Sequence, residues 1–593
     1  MRRTILILAI FVFAIPARAA DKWTSVQSKN FLLVGNASES QIRDVAENLE
    51  LFRTAYGKFV KLPEKAASVG TTVIVFKSDA SFRPYKPTYQ GKPANIAGYF
   101  QGGVDQNLIV LSAEIETPRV IYHEYVHKLM SDNFASMPPW FQEGFAECFS
   151  ALEIEGRDKK LRLGRAIGEH VALLNERRFL PLEQLFAITN ESKEYNEEEK
   201  QGLFYAESWA LVHYMMLGPT DRVNKFFEFL GGLNKGTPPA AVFERVFQTD
   251  LSTFQKTFEA YIQQRVSWPA MELNSPGRLD RNKDMTARTL SGAEAEFYLG
   301  EMLLHDGRLD DAEPHIKAAL RLDPNLAGAQ AAMGRLLLRQ NKDADAMAYL
   351  KRATELDPGN YLAHYYYGSA IHGDNRMLTE AEWTAARAEL LQAINLAPQF
   401  TAASELLANL NLVRNAEIPQ TIELLRKART FAPGNDNLVV MLAFALSRTS
   451  EREEARVLAE TMLMKSSLTP TMRRNAETVL TSLSHGPSQG PNRQPLTAPL
   501  PTPPGTETVR GTFTRIECDQ RTLLVLIVNE KTVKLHSRTP NSIRFTTSDP
   551  SLNAIVGCGP LPRGGVPATI TYRPEQSADS IGEVLAVDLG EED

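Results

Sequence analysis

The 593-residue chain reads as a multidomain protein: an α+β lobe, then an all-α repeat solenoid, then a small all-β C-terminal barrel or sandwich. Three observations predict that order. Strand-like runs mix with amphipathic helical patterns up to about residue 269, a 34-residue repetition begins at 293, and short strand-like runs with glycine-rich turns fill 508–593. The length alone exceeds what one hydrophobic core supports. Hydrophobic residues make up 43% and charged residues 23%, as in soluble globular proteins. The formal net charge of -6 disfavours bulk binding of nucleic acid, which wants a basic surface.

The first 20 residues read as a secretory signal. Arg2 and Arg3 precede an apolar run from Thr4 to Ile15, and Ala17 and Ala19 supply the small residues of a cleavage site. The run is too short for a standard membrane span, although a retained N-terminal anchor is the alternative reading. No later stretch is long and apolar enough to span a bilayer, and no lipobox-like cysteine lies near residue 20. The expected location is therefore outside the cytoplasm, periplasmic or extracellular in a bacterium. Three cysteines do not make a disulfide scaffold. Cys518 and Cys558 can pair in an oxidising compartment, and Cys148 reads as a small buried residue.

Residues 21–269 form the first lobe. Lys29–Val34 is a strand, and Ser38 caps a helical pattern through about Tyr56, with Ile42, Val45, Leu49, Leu51 and Phe52 on its apolar side. Thr71–Phe76 is a second strand. Ala97–Phe100 and Asn107–Leu111 form a hairpin around Gly102 and Gly103. Glu114–Met130 is mainly helix, and helices alternate with polar turns to about 268.

The chemistry-bearing segment is His123-Glu124-Tyr125-Val126-His127. Residues four apart share a helix face, so both imidazoles can reach one metal ion, and Glu124 can reach a water on it. Apolar Val120, Ile121, Val126 and Leu129 suit a helix buried in the lobe. A catalytic zinc needs a third protein ligand and an open position. Pro138-Pro-Trp-Phe-Gln-Glu-Gly-Phe-Ala-Glu147 offers Glu143 and Glu147, again four apart. One can bind metal while the other orients a ligand histidine.

HExxH followed by Trp-Phe-Gln-Glu-Gly-Phe-Ala-Glu resembles the gluzincin zinc metallopeptidases over roughly residues 30–265. It is closest to peptidase-MA-like domains of bacterial exported proteins and more distantly similar to the aminopeptidase N type. The resemblance implies a zincin-like lobe with Zn2+ on His123, His127 and Glu143, and Glu124 as general base. Glu147 then stands where related enzymes hold an acid beside a ligand histidine, whereas thermolysin-like spacing makes Glu147 the ligand instead. The resemblance also offers Tyr205 to stabilise the oxyanion; the other reading of Tyr205 is a core aromatic beside Trp209 and Leu211. His213 is a weaker substitute, and His170 reads as a helix-surface residue. In the family, a strand such as the one near 97–111 lines the cleft and pairs with extended peptide. No Gly-x-Met-Glu-Asn segment is present, which counts against aminopeptidase activity.

Residues 270–292 are polar and weakly patterned, a linker. From 293 to 483 the chain repeats: Gly300, Gly334 and Gly368 are 34 apart, as are Ala312 and Ala346, Ala319 and Ala353, and Pro324 and Pro358. Spacing and residue types resemble tetratricopeptide repeats, helical hairpins that bury their apolar faces by stacking. A third unit begins at 361 with about six extra residues and keeps Ala386, Ala393 and Pro398 in phase; two weaker units follow. Residues 484–507 are a proline-rich linker. In the tail, Thr512–Ile516, Leu523–Val528, Thr532–Leu535, Ala568–Tyr572 and Val584–Val587 read as strands. The functional expectation is zinc-dependent hydrolysis of a peptide or protein of the cell envelope, recruited by the repeats. The alternative is a scaffold protein that acts through its repeats on a protein partner, without catalysis.

Overall fold

A computed structural model describes residues 21–589 apart from 61–68, 90–91, 116–117, 135–136, 178, 190–191, 194–197, 218–219, 234–236, 264–269, 374–377, 466–467, 485–504, 519–521, 530, 538–543, 548–558, 561–564 and 578–579. Residues 1–20, read from the sequence as a secretory signal, most of the proline-rich linker and Cys558 lie outside the described residues, as does the side chain of Cys518.

The lobe is built on a six-stranded sheet. Its strands are β1 (Thr24–Gln27), β2 (Phe31–Gly35), β3 (Gly70–Phe76), β6 (Gly98–Gln101), β7 (Gln106–Ser112) and β11 (Thr286–Thr289), in the order β11-β1-β2-β3-β7-β6. A two-residue pair, β4 (Thr88–Tyr89) and β5 (Lys92–Pro93), stands apart from it. β2, β3 and β7 run parallel, and β6 folds back antiparallel to β7 as an edge strand. Helix α1 (Glu39–Tyr56) starts at the expected Ser38, where a capping box with Gln41 satisfies free amides of the first turn. Its buried Ile42, Leu49 and Phe52 lie on one face of the sheet with Phe31, Leu33, Val73, Val75, Ile109 and Leu111.

The alternate strand residues face the other way. Val34, Ile74, Phe76, Leu108 and Val110 pack with Leu299, Met302 and Leu303 of the first repeat helix. Both faces of the sheet are therefore buried. That accounts for the nearly unbroken apolar runs Val73–Phe76 and Leu108–Leu111, which a half-exposed strand would interrupt with polar residues.

After the short helix α2 (Asp79–Phe82), the rest of the lobe is mainly helical: α3 (Arg119–Asn133), α4 (Pro139–Ser150), α5 (Gly168–Glu176), α6 (Leu182–Ala187), α7 (Glu198–Met216), α8 (Thr220–Leu233), α9 (Pro239–Phe247) and α10 (Leu251–Gln263). A three-stranded sheet joins β8 (Glu153–Glu155), β9 (Lys160–Leu163) and β10 (Met271–Leu273).

Residues 270–292, expected as a linker, belong to the lobe. β10 pairs with β9, β11 pairs with β1, and Arg281 between them forms ion pairs with Asp44 and Glu47 of α1. These strands have only three and four residues, and β11 is also polar and mostly exposed, so neither leaves a period in the sequence.

The repeats are eleven described helices, five successive pairs and a last single helix: α11 (Gly292–His305), α12 (Leu309–Leu322), α13 (Ala327–Arg339), α14 (Asp343–Leu356), α15 (Tyr361–His372), α16 (Glu380–Leu396), α17 (Thr401–Arg414), α18 (Ile418–Phe431), α19 (Asp436–Leu446), α20 (Arg452–Leu463) and α21 (Pro470–Ser484). The 34-residue glycine period has a steric cause. A Cβ at Gly300, Gly334 or Gly368 would come within 2.7, 2.5 or 3.0 Å of Ile316, Leu350 or Leu390 on the pairing helix. The alanines of that helix, Ala312, Ala319, Ala346 and Ala353, are fully buried.

The C-terminal β domain is a compact unit of its own, which also takes in residues 372–383. Its strands are β12 (Glu507–Cys518), β13 (Thr522–Val528), β14 (Lys531–Ser537), β15 (Arg544–Thr547), β16 (Gly559–Pro560), β17 (Val566–Ser577) and β18 (Ser580–Leu589). β12, β13, β14, β18 and β17 close on one another, because β12 pairs with both β13 and β17. Of the two expected forms, the domain is therefore a five-stranded barrel, with Phe513, Leu524, Leu526, Leu535, Ile570 and Val587 inside.

Candidate metal centre

α3 carries the HExxH residues and is fixed by its aromatic and aliphatic side chains. Tyr122 stacks on Phe52 of α1 at 4.2 Å, Tyr125 accepts a 3.0 Å hydrogen bond from Arg53, and Ile121, Val126 and Leu129 are buried. Val120, expected among the buried positions, is 64% exposed, because it sits in the first turn away from the core. α4 opens with Pro139, whose missing N–H costs nothing at a helix start. Its Trp140, Phe141, Phe145 and Phe149 are fully buried, which leaves Glu143 and Glu147 on the side facing α3. Gly144 lets α4 cross α7 in backbone contact: a Cβ there would lie 2.2 Å from the Ser208 carbonyl oxygen. That crossing brings Tyr205 of α7 to the site, where its ring stacks beside His123 at 6.2 Å.

The structure draws three side chains to one point. His123 Nε2 and His127 Nε2 are 3.0 Å apart, and Glu143 Oε2 is 3.2 Å from each. An ion bound about 2.0–2.1 Å from each of three tetrahedral ligands separates them by roughly 3.3 Å, so this donor set fits zinc. The opposite side of His123 is held too. Its Nδ1 lies 3.2 Å from Glu147 Oε1. With the Nδ1 proton donated to Glu147, the Nε2 lone pair faces the centre. Glu147 Oε2 in turn meets His170 Nε2 at 3.2 Å and Arg119 Nη2 at 3.3 Å.

Glu143 and Glu147 thus occupy two different positions around the histidines, which their spacing alone left open. Glu143 is 3% exposed and faces both histidines, whereas Glu147 lies behind the first. Glu124 is half-buried on the same helix as the two histidines.

The electrostatics favour positive charge at this point. Burial works against a charge on His123, yet the carboxylates of Glu143 and Glu147 outweigh it and raise its pKa to about 9. Burial likewise opposes ionisation of Glu143, but hydrogen bonds from His123 and His127 lower it to about 2. Glu147 is also lowered, by His123 and His170 against its burial. The positive charge supplied here by a proton is one a divalent cation can supply instead.

Two histidines differ from expectation. His170, read as a surface residue, turns inward onto Glu147, because the acid it meets comes from a helix 23 positions back that no local pattern connects to it. His213, the substitute for Tyr205, is fully buried away from the site. Its Nε2 donates to the Gly164 carbonyl at 2.7 Å and its Nδ1 meets the Tyr261 hydroxyl at 2.7 Å. Cys148 is buried as expected, and burial together with the Glu147 charge pushes its thiol up to about 12. The β6 edge strand lies against α3, where a Cβ on Gly98 would be 2.9 Å from Ile121. Its Tyr99 and Gln101 side chains donate to Asp306 and to the His305 carbonyl of the repeats, Gln101 at 3.1 Å.

Residues 119–239 match a family model described as a protein of unknown function (DUF1570). That stretch runs from the start of α3 and contains every residue of the site. Residues 303–368 match a tetratricopeptide repeat model, so the solenoid consists of such repeats, which point to a protein-interaction role. No curated protein matches the chain. Solved structures similar to part of it include MamA (24% identity, 29% of this chain and 90% of that one, TM-score 0.25). Another is pilF of Pseudomonas aeruginosa (21% identity, 32% and 90%, TM-score 0.26). A third is YrrB, a TPR protein with an unusual peptide-binding site (14% identity, 32% and 92%, TM-score 0.27).

Proposed function

We propose that the lobe is a zinc-dependent peptidase of the gluzincin type, acting outside the cytoplasm on a protein or peptide of the cell envelope. The observation that carries this reading is the convergence of His123 Nε2, His127 Nε2 and Glu143 Oε2 within 3.0–3.2 Å, with Glu147 behind His123. His123, His127 and Glu143 would hold Zn2+, which when bound would supply Lewis acidity toward an amide carbonyl. Glu124 takes the proton of the attacking water and passes it to the departing amine. Tyr205, beside His123, donates a hydrogen bond to the oxygen that gains negative charge. The half-exposed setting of Glu124 suits a base that must reach solvent water.

Metal content and hydrolysis of an unfolded polypeptide by three variants test the assignment. Glu124→Gln is expected to keep stoichiometric zinc and lose turnover. His127→Ala is expected to lose the metal. Glu147→Gln is expected to bind zinc about 10–100-fold more weakly, because His123 is no longer held by a carboxylate. Full activity in Glu124→Gln would falsify the mechanism. A wild-type chain without tightly bound zinc favours the second reading, a non-catalytic interaction protein working through the repeats matched at 303–368. For export, the support is the signal-like first 20 residues. Among the described residues no helix is long and apolar enough to cross a membrane.

A further inference from the structure

The helix that carries the metal-site residues runs on into a groove shared by the lobe and the repeats. One turn beyond His127 on α3 stands Ser131, and one turn beyond Glu124 stands Lys128, so both extend the faces that carry ligand and base. Ser131, Lys128 and Gln142, the neighbour of Glu143, line a cleft of about 1070 Å³. The repeats make its other wall with Tyr365 of α15, Leu406 and Asn409 of α17, Met441 and Phe444 of α19, and Asn475 of α21. Four successive inner helices packed about 8–10 Å apart give a wall roughly 25–30 Å long. A polypeptide extended at about 3.3 Å per residue covers that length with about eight residues. Ligand clefts for small molecules run from about 300 to about 1,000 Å³, so this one stands at the top of that range.

The lining also selects the chemistry of the occupant. Its charged groups are already engaged: Glu405 accepts from Asn435 and Asn437 at 2.6 Å, Asp436 pairs with Lys465, and Arg448 donates to the Leu412 carbonyl at 2.6 Å while lying over Phe444. What faces the groove instead are carboxamides at Asn409 and Asn475, which can both donate and accept as a peptide unit does. Between them lie apolar side chains. Val104 on the lobe side is 70% exposed and Val413 on the repeat side 64%, so each wall offers an apolar side chain to an occupant.

The two walls are fixed relative to each other. Buried Asp105, in the turn between β6 and β7, accepts from Arg335 at 2.9 Å and from Tyr366. The backbone of Gly434 lies on the last turn of α3, where a Cβ would be 2.2 Å from the Phe134 carbonyl oxygen and 2.3 Å from that of Ser131. A groove formed before the ligand arrives costs little further ordering.

We propose that this groove binds an extended, mainly apolar segment of a polypeptide and leads the same chain to the metal centre, so that the repeats form part of the substrate cleft. The delivery step rests on the peptidase reading; the binding step does not. The test uses the full-length Glu124→Gln chain and fluorescein-labelled casein as an unfolded polypeptide, read by fluorescence anisotropy. Val104→Lys and Val413→Lys, each made in that chain, put a charge on opposite walls at exposed positions that folding does not depend on. Each is expected to weaken casein binding about tenfold or more with circular dichroism and zinc content unchanged. Casein binding undiminished in both variants, or absent in the parent, overturns the proposal. So does sedimentation showing a parental dimer that either variant splits, since the groove then belongs to a second copy. If the wild-type chain hydrolyses no polypeptide but the variants release casein, the groove stands and the peptidase reading falls. If hydrolysis proceeds and the variants bind as the parent does, the reverse holds.

Discussion

Glu207 sits on α7 two positions from Tyr205 and is 1% exposed, with its Oε1 accepting from the Leu180 amide at 2.6 Å. Burial raises its pKa to about 8; the Leu180 bond opposes that rise and the charge of Glu259 adds to it. Unfolded, the group returns toward 4.5. Between these values the folded chain binds the proton and the unfolded chain does not, so stability falls as pH rises across that window. The slope is on the order of 1 kcal/mol per pH unit and vanishes below and above the window. Glu207→Gln removes it. The drop in thermal midpoint of the lobe between about pH 5 and about pH 8 is expected to be smaller in the variant than in wild type. Equal drops in both would show that Glu207 stays ionised in the folded chain. The same scale shows why some residues were legible and others were not. His123 and His127 lie on one helix, where a spacing of four places them on one side. His170 finds Glu147 across a packing contact between separate helices, and a sequence period carries no record of that.

Among the elements, the paired repeat helices were the easiest to read, since each unit must solve the same packing problem and so repeats the same small residues. Gly334 makes the point quantitatively. A Cβ there would lie 2.5 Å from Leu350 Cγ and 3.2 Å from the Ala346 carbonyl oxygen, so α13 and α14 would have to separate. Gly334→Val is expected to destabilise the repeats by about 1–3 kcal/mol, read as an earlier loss of helical circular dichroism on heating. Zinc content should stay unchanged. An unshifted melting curve would mean that the helix pair can open without cost. β10 and β11 illustrate the opposite case. They are held by ladder hydrogen bonds to β9 and β1, which any sequence of extended residues can make, and three or four residues are too few to show a period.

Lobe and repeats share a core. Val34, Ile74, Phe76, Leu108 and Val110 of the sheet pack on Leu299, Met302 and Leu303 of α11, and β11 completes the sheet beside β1. A chain ended at residue 269 would lose both and expose an apolar sheet face. It is expected to aggregate or to remain a partly folded state that binds a hydrophobic dye, whereas a chain ended at 484 keeps the lobe intact. A soluble, cooperatively folding 1–269 fragment would show that the repeats are an appendage. The local patterns of the chain were enough to determine the HExxH helix, the acidic pair on the following helix, the 34-residue repeat and the strands of the tail. Each is a periodicity between residues near one another along the chain. Only the tertiary structure decided that Glu143 faces both histidines while Glu147 stands behind one. It alone decided that the tail closes into a barrel and that the presumed linker is part of a sheet. These outcomes depend on which distant surfaces come together, and many sequences with the same local periods could pair them differently.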